Sequence, residues 1–183
     1  TMRNTEKGES LNSIAKKENI PIKILQLDVT DESSVNNAIK TIHDESGQID
    51  VLINNAGYGL VGAFEDVSME EIKAQFETNF FGLIRVTQAV LPIMRNQNSG
   101  RIVNISSGAG RFGYPTGSIY VSTKFAVEGL SESIAYEVEP FGVKMILVEP
   151  GVIRTNFFNA STITKKSLNP DSPYFKMFQR MGS

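Results

Sequence analysis

Short apolar runs alternate with longer amphipathic stretches along this chain, and that alternation limits what it can fold into. Four runs, at residues 22–27, 49–53, 101–105 and 143–148, have the length of buried strands and stop where polar or turn residues begin. The stretches between them predict helices. Residues 5–18 read as a helix stopped by Asn19 and Pro21, and residues 31–46 as a helix capped by Thr30 and closed by Gly47. Ser68-Met-Glu-Glu71 is a capping box that opens a third helix, with Ile72, Phe76, Phe80, Leu83 and Val90 on one stripe and Pro92 kinking or ending it. A fourth helix over 118–140 buries Val127, Leu130, Ile134 and Val138 and ends at Pro140 and Gly142. Strands and helices in strict alternation predict a doubly wound α/β architecture, a parallel sheet with helices on both faces. Residues 1–183 are expected to form a single domain, with 156–183 as a loop or lid rich in Ser, Thr, Asn, Pro and aromatics and without a clear strand.

Composition narrows the function. A 40% hydrophobic content with eleven Phe suffices for a core, and a net charge of −2 without a basic run argues against nucleic acid or an anionic membrane as partner. The apolar run at Phe80–Ile84 is cut by Arg85, well short of a membrane span. With no Cys and a single His, the chain offers no disulfide and no soft-ligand cluster for a metal, and a reducing, cytoplasmic setting fits. His43 receives no role.

Chemistry gathers at Tyr120-Val-Ser-Thr-Lys124, with Ser107 thirteen residues before the tyrosine. On a helix, a spacing of four puts Tyr120 and Lys124 on one face, where a cation is expected to lower the phenol toward the range useful for proton transfer. Two glycine sets, Gly57-x-Gly59-x-x-Gly62 and Gly108-x-Gly110-x-x-Gly113, match the spacing of a dinucleotide fingerprint. Neither is followed at once by a helix, so both are read as tight turns or points of close backbone approach rather than phosphate loops.

Asp28-Val29, Asn54-Asn55-Ala56-Gly57, Asn79, Ser106-Ser107, Tyr120-x-x-x-Lys124 and Pro150-Gly151 occur in one order, and together they resemble the short-chain dehydrogenase/reductase family, in particular its hydroxysteroid and retinoid members. The resemblance runs to about Thr155. It implies a Rossmann-type fold and a carbonyl–alcohol oxidoreductase using NAD(P)(H). It implies Asn79, Ser107, Tyr120 and Lys124 as the catalytic set, with Asn79 serving a water relay. It assigns cofactor contacts to Asp28 and Val29 at the adenine, Asn54, Ala56 and Gly57 along the cofactor, Tyr120 and Lys124 at the ribose, and Pro150, Gly151 and Thr155 at the nicotinamide. Asp28 also reads as a partner in capping the helix at 31–46.

In the family, an acidic residue at the end of the second strand selects NAD and a basic one selects NADP. Met2 stands near the acidic position and Arg3 follows, so NADP(H) is expected, with Arg3 on the 2′-phosphate and NAD(H) as the alternative. A homodimer or homotetramer is implied through the helices carrying Asn79 and Tyr120. Phe157, Phe158, Tyr174, Phe175, Met177 and Phe178 suit a lid over a hydrophobic small molecule, or equally the packing of the lid or an interface. Relative to the family pattern, a first strand and its glycine-rich loop do not precede Arg3, so the chain is expected to be part of a longer protein, its sheet split and unable to fold stably alone. The alternative function is a catalytically silent NAD(P)-binding or scaffold protein of the same fold.

Overall fold

The structure is a computed structural model that describes residues 1–153 and 155–181. Its sheet is parallel: β1 (Val51–Asn54), β3 (Gly100–Ile105) and β4 (Val143–Val148) lie in the order β1-β3-β4. A second, two-stranded parallel pair joins β2 (Leu60–Val61) to β5 (Thr162–Ile163). The helices are α1 (Glu9–Lys17), α2 (Glu32–Ser46), α3 (Met69–Phe76), α4 (Gly82–Gln97), α5 (Ser118–Val138), α6 (Phe157–Ala160) and α7 (Phe175–Met181). β1 leads through α3 and α4 to β3, and β3 through α5 to β4, the helical crossovers that parallel strands require. This is a Rossmann-type α/β architecture with a parallel sheet, and α2, α4 and α5 pack on one face of it.

The core forms where α2 and α4 cover one face of the sheet. Val35, Val90, Met94 and Ile102 are fully buried there, beside Leu27, Ile39 and Val143. Each such side chain contributes roughly 1.5–3 kcal/mol by leaving water. Gly100 lets α4 approach: a Cβ there would lie 2.5 Å from Met94 Sδ. The opposite face, by register, carries Val51, Ile53, Ile146 and Val148, which remain 37% to 61% exposed.

Three local expectations change. The stretch at 22–27 is extended but forms one parallel bridge, Met2 to Gln26, with Met2 N–H donating to Leu25 O and Leu27 N–H to Met2 O. A ladder needs a partner along its length, and only Met2 supplies one. The N-cap of α2 is Asp31, whose Oδ1 accepts from Ser33 and Ser34 N–H, while Thr30 donates instead to Asp28 Oδ1 through its N–H and its hydroxyl. Pro92 neither ends nor breaks α4, which continues to Gln97 and closes at Asn98 with φ 53°. Its missing N–H costs one hydrogen bond, and the flanking Val90 and Met94 hold the helix to the sheet. The capping box at Ser68 and Glu71 and the closure at Gly47, φ 71°, form as the sequence predicts.

Candidate active site

Ser107 sits where β3 ends, capping a short 3-10 turn at Gly108–Gly110; its Oγ accepts from Ala109 N–H at 3.1 Å. Across from it, the first turns of α5 carry Tyr120 and Lys124. The Ser107 hydroxyl stands close enough to the Tyr120 phenol to act on its ionisation. Lys124 Nζ donates to Ile105 O at 2.8 Å and stands 5.7 Å from the centre of the Tyr120 ring. Tyr120 and Lys124 are both buried, 8% and 7% exposed, so neither is an ordinary solvated helix residue.

Burial governs the electrostatics. It pushes the Tyr120 phenol up, and the Ser107 hydroxyl opposes it. It pulls Lys124 down to about 8, against the field of Glu128. Burial and Ser107 set the phenol, and the expected lowering by the lysine does not appear beside them.

Asn79 lies in a π-helical turn, Glu77–Phe81, between α3 and α4. Such turns interrupt helices frequently at functional sites. Its amide is 2% exposed: Oδ1 accepts from Tyr58 N–H at 3.1 Å, and Nδ2 donates to Tyr58 O at 2.9 Å and to Thr123 Oγ1 at 3.3 Å. One side chain thus ties the loop after β1 to the helix of Tyr120. Gly57 borders it closely, since a Cβ there would lie 3.2 Å from Asn79 Oδ1.

The final segment folds back over this site. β5, a two-residue strand too short to show as a pattern, pairs with β2, where a Cβ on Gly59 would meet Ser161 Oγ at 2.7 Å and one on Gly62 would meet Thr164 Cγ2 at 2.2 Å. The first glycine set therefore serves close backbone approach, here to the chain's own lid. Asp66, 4% exposed, accepts from Ser167 at 3.0 Å and Ser172 at 2.7 Å, with Lys166 Nζ 3.5 Å away. These bonds hold the Asp66 carboxyl below the usual aspartate range, the Ser172 bond foremost, although burial pushes the other way. From the anchored lid, Phe157 lays its ring 5.7 Å from that of Tyr120. A cleft of about 460 Å³ opens nearby between Phe64, Tyr114, Ser118, Tyr174 and Met177. Phe175 and Phe178 are half-buried, and the Phe158 side chain lies outside the described residues.

A serine, a phenol and an ammonium gathered at the C-terminal end of a parallel sheet accord with what known proteins show. The family described as short chain dehydrogenase matches residues 1–166. The chain belongs to that family. Among curated relatives, it is 44% identical over 164 residues to a 3-ketodihydrosphingosine reductase of Bacteroides thetaiotaomicron, covering 88% of this chain and 61% of that one. It is 41% identical over 158 residues to retinol dehydrogenase 8 of Homo sapiens, covering 86% and 50%. Among solved structures, ElxO with NADP bound superposes with a TM-score of 0.81 at 35% identity, covering 86% of this chain and 64% of that one. NAD+-bound xylitol dehydrogenase does so with 0.81 at 30% identity, covering 86% and 61%. The chain thus spans about half to two thirds of the length of these relatives.

Within this short-chain dehydrogenase the remaining sequence candidates fall into three groups. Arg3 and Asp28 come together because the Met2–Gln26 bridge aligns their segments, and Arg3 helps hold the Asp28 carboxyl low after the larger effect of the Thr30 bonds. The Val29 carbonyl accepts from Arg85 Nη1 at 2.5 Å, which fixes this segment to α4. Asn54 is buried, its Nδ2 donating to Thr87 Oγ1 at 3.0 Å and Asn104 Oδ1 at 2.9 Å, so the amide knits β1, β3 and α4 together. Ala56, Gly57, Gly151 and Thr155 lie on loops, and Pro150 O accepts from Gly108 N–H at 3.0 Å, joining the loop after β4 to the Ser107 turn. Sequence reasoning passed over Tyr58, Asp66, Thr123 and Glu128. Among these, only the spacing of Glu128, four residues after Lys124, offered a signal.

Proposed function

We propose that the protein is an NADP(H)-dependent oxidoreductase that interconverts a carbonyl and a secondary alcohol on a hydrophobic small molecule, with Tyr120 as general acid and base. The observation that carries this reading is the buried meeting of Ser107, Tyr120 and Lys124, one side chain from the end of β3 and two from α5. When bound, a nicotinamide dinucleotide supplies or accepts the hydride. Tyr120 passes its phenolic proton to the substrate oxygen and recovers it in the reverse direction. Ser107 hydrogen-bonds the same oxygen and stabilises its developing negative charge. Lys124 uses one N–H on Ile105 O, leaving two for the hydroxyls of the nicotinamide ribose, which is the fit expected of a ribose holder. Asn79 spends both amide hydrogens on Tyr58 and Thr123 and keeps a lone pair on Oδ1 for the water that returns the proton.

Cofactor selection rests on Arg3. It is exposed beside Asp28, a placement that suits a 2′-phosphate at the adenosine end. Asp28, Val29, Ala56, Gly57, Pro150, Gly151 and Thr155 are proposed to line the rest of the cofactor's path, with Asn54 holding the strands beneath. The hydrophobic substrate class draws on the cleft between Phe64, Tyr114 and Met177 and on relatives named for 3-ketodihydrosphingosine and for retinol. Exposed Phe81 and Phe125 support pairing of two copies through the π turn and α5. Among the described residues no helix is long and apolar enough to cross a membrane.

The deciding experiment is Tyr120→Phe in the full-length protein. Loss of carbonyl reduction with NADPH binding retained supports the assignment, and wild-type turnover by the variant overturns it. Comparing NADPH and NADH dissociation constants with and without Arg3→Ala tests the cofactor choice. Tighter NADH binding, or no loss of NADPH affinity in the variant, overturns it.

A further inference from the structure

Glu128 is a buried acid that the proposed mechanism leaves unused. It is 5% exposed and lies one helical turn beyond Lys124 on the same face of α5. Neither of its carboxylate oxygens accepts a hydrogen bond among the described residues. Among the described residues its one ionic partner is Arg111, at 3.5 Å, and that guanidinium is already committed to Glu149 through two bonds, of 3.0 and 2.7 Å. Arg111 also faces Glu132 at 3.7 Å. The turn after Ser107 is built around the acid. A Cβ on Gly110 would lie 2.8 Å from Glu128 Cγ and 2.9 Å from its Oε1, so only glycine leaves room for it. The Ser106 hydroxyl abuts the same point at 2.9 Å.

A carboxylate kept from water with so little hydrogen bonding costs several kcal/mol, and packing alone would favour an apolar residue of the same size. Arg111 shares its charge among three acids, so much of the Glu128 field is left to act on its other close cation. That cation is Lys124, buried and desolvated one turn away. We propose that Glu128 is a positioning residue of the site: its carboxylate, held by Gly110 and Arg111, keeps Lys124 a cation beside Tyr120. This rests on the reading of Lys124 as a working residue. The need follows from burial, which pulls Lys124 toward the neutral amine, while the Glu128 charge opposes that pull.

The groups facing this pair are Arg111, Glu149 and Glu132 on the outer side, Ser106 from β3, and Tyr120 from α5 itself. The test follows the Lys124 ammonium directly, by NMR of lysine-labelled full-length protein with the signal assigned through Lys124→Arg. Glu128→Gln is expected to lower its titration midpoint by about one pH unit, and to weaken NADPH binding about tenfold at pH near the wild-type midpoint. Glu128→Asp should recover most of that shift, and Glu132→Gln should leave it unchanged. Glu128→Met, similar in size and free of a buried polar group, carries the test if the glutamine variant does not fold. An unmoved Lys124 midpoint in either neutral variant overturns the proposal. A moved midpoint with unchanged pH dependence of carbonyl reduction supports Glu128 as the source of the field, and would instead count against Lys124 as a participant in the reaction.

Discussion

The Ser107 hydroxyl and the Tyr120 phenol, thirteen residues apart in the chain, stand close enough that the serine opposes the effect of burial on the phenol. Strand β3 delivers one partner and helix α5 the other, so their approach depends on the crossover between them. Because the serine lowers a phenol that burial raises, Ser107→Ala should shift the Tyr120 ionisation to higher pH. In the oxidation direction, where the phenol must lose its proton, the rising limb of the rate profile should move the same way. Turnover should fall by about 10²–10³. Ultraviolet titration of the phenol and the pH dependence of kcat/KM check both outcomes.

Asp66 fastens the lid. Asp66→Ala removes the acceptor for Ser167 and Ser172 and leaves their hydroxyls buried, a loss of about 2–4 kcal/mol for the docked segment. Hydrogen exchange should accelerate across residues 161–175 while the β1-β3-β4 sheet keeps its protection. The pH dependence has a definite sign. The folded carboxyl sits below an ordinary aspartate's 3.8, so its stabilisation is present above that value and is lost as pH falls toward the folded one.

Gly62 and Gly113 should respond oppositely to alanine. At Gly62 the new Cβ would come within 2.2 Å of Thr164 Cγ2, so Gly62→Ala should cost about 1–3 kcal/mol and detach β5 from β2. Nothing lies within 4 Å of a Cβ at Gly113, and its φ is not positive. Gly113→Ala should be neutral or stabilising by about 0.4–1 kcal/mol. Urea denaturation of the two variants makes the comparison.

Capping of α2 discriminates between neighbours. Asp31→Ala should cost about 1 kcal/mol, because it strips the acceptor from Ser33 and Ser34 N–H. Thr30→Ala touches only the local bond to Asp28 and should cost less. Thermal melts of the pair decide the order.

Elements that bury a periodic face were legible in the chain. Val90 of α4 and Val127 and Val138 of α5 announce themselves because burial and periodicity coincide, and β1, β3 and β4 show as short apolar runs. The capping box at Ser68 and the closure at Gly47 were legible because their chemistry is local. Contacts between distant polar residues were not. Asp66 meets Ser167 and Ser172 across about a hundred positions, and nothing near either end signals the pairing. The residues at 22–27 read as a strand because strand propensity records side-chain preference, whereas a ladder depends on a neighbour that sequence alone does not supply. Spacing likewise placed Tyr120 and Lys124 on one face without revealing how deeply both are buried, and that depth reversed the expected effect on the phenol.

The side of the sheet bearing Val51, Ile53, Ile146 and Val148 has a practical consequence. Purified as these 183 residues, the chain would carry a contiguous greasy surface next to the unpaired edge of β1. Such material is expected to clump as its concentration or the salt is raised, well before its core melts. Light scattering would then register colloidal failure at temperatures where circular dichroism still reports helices.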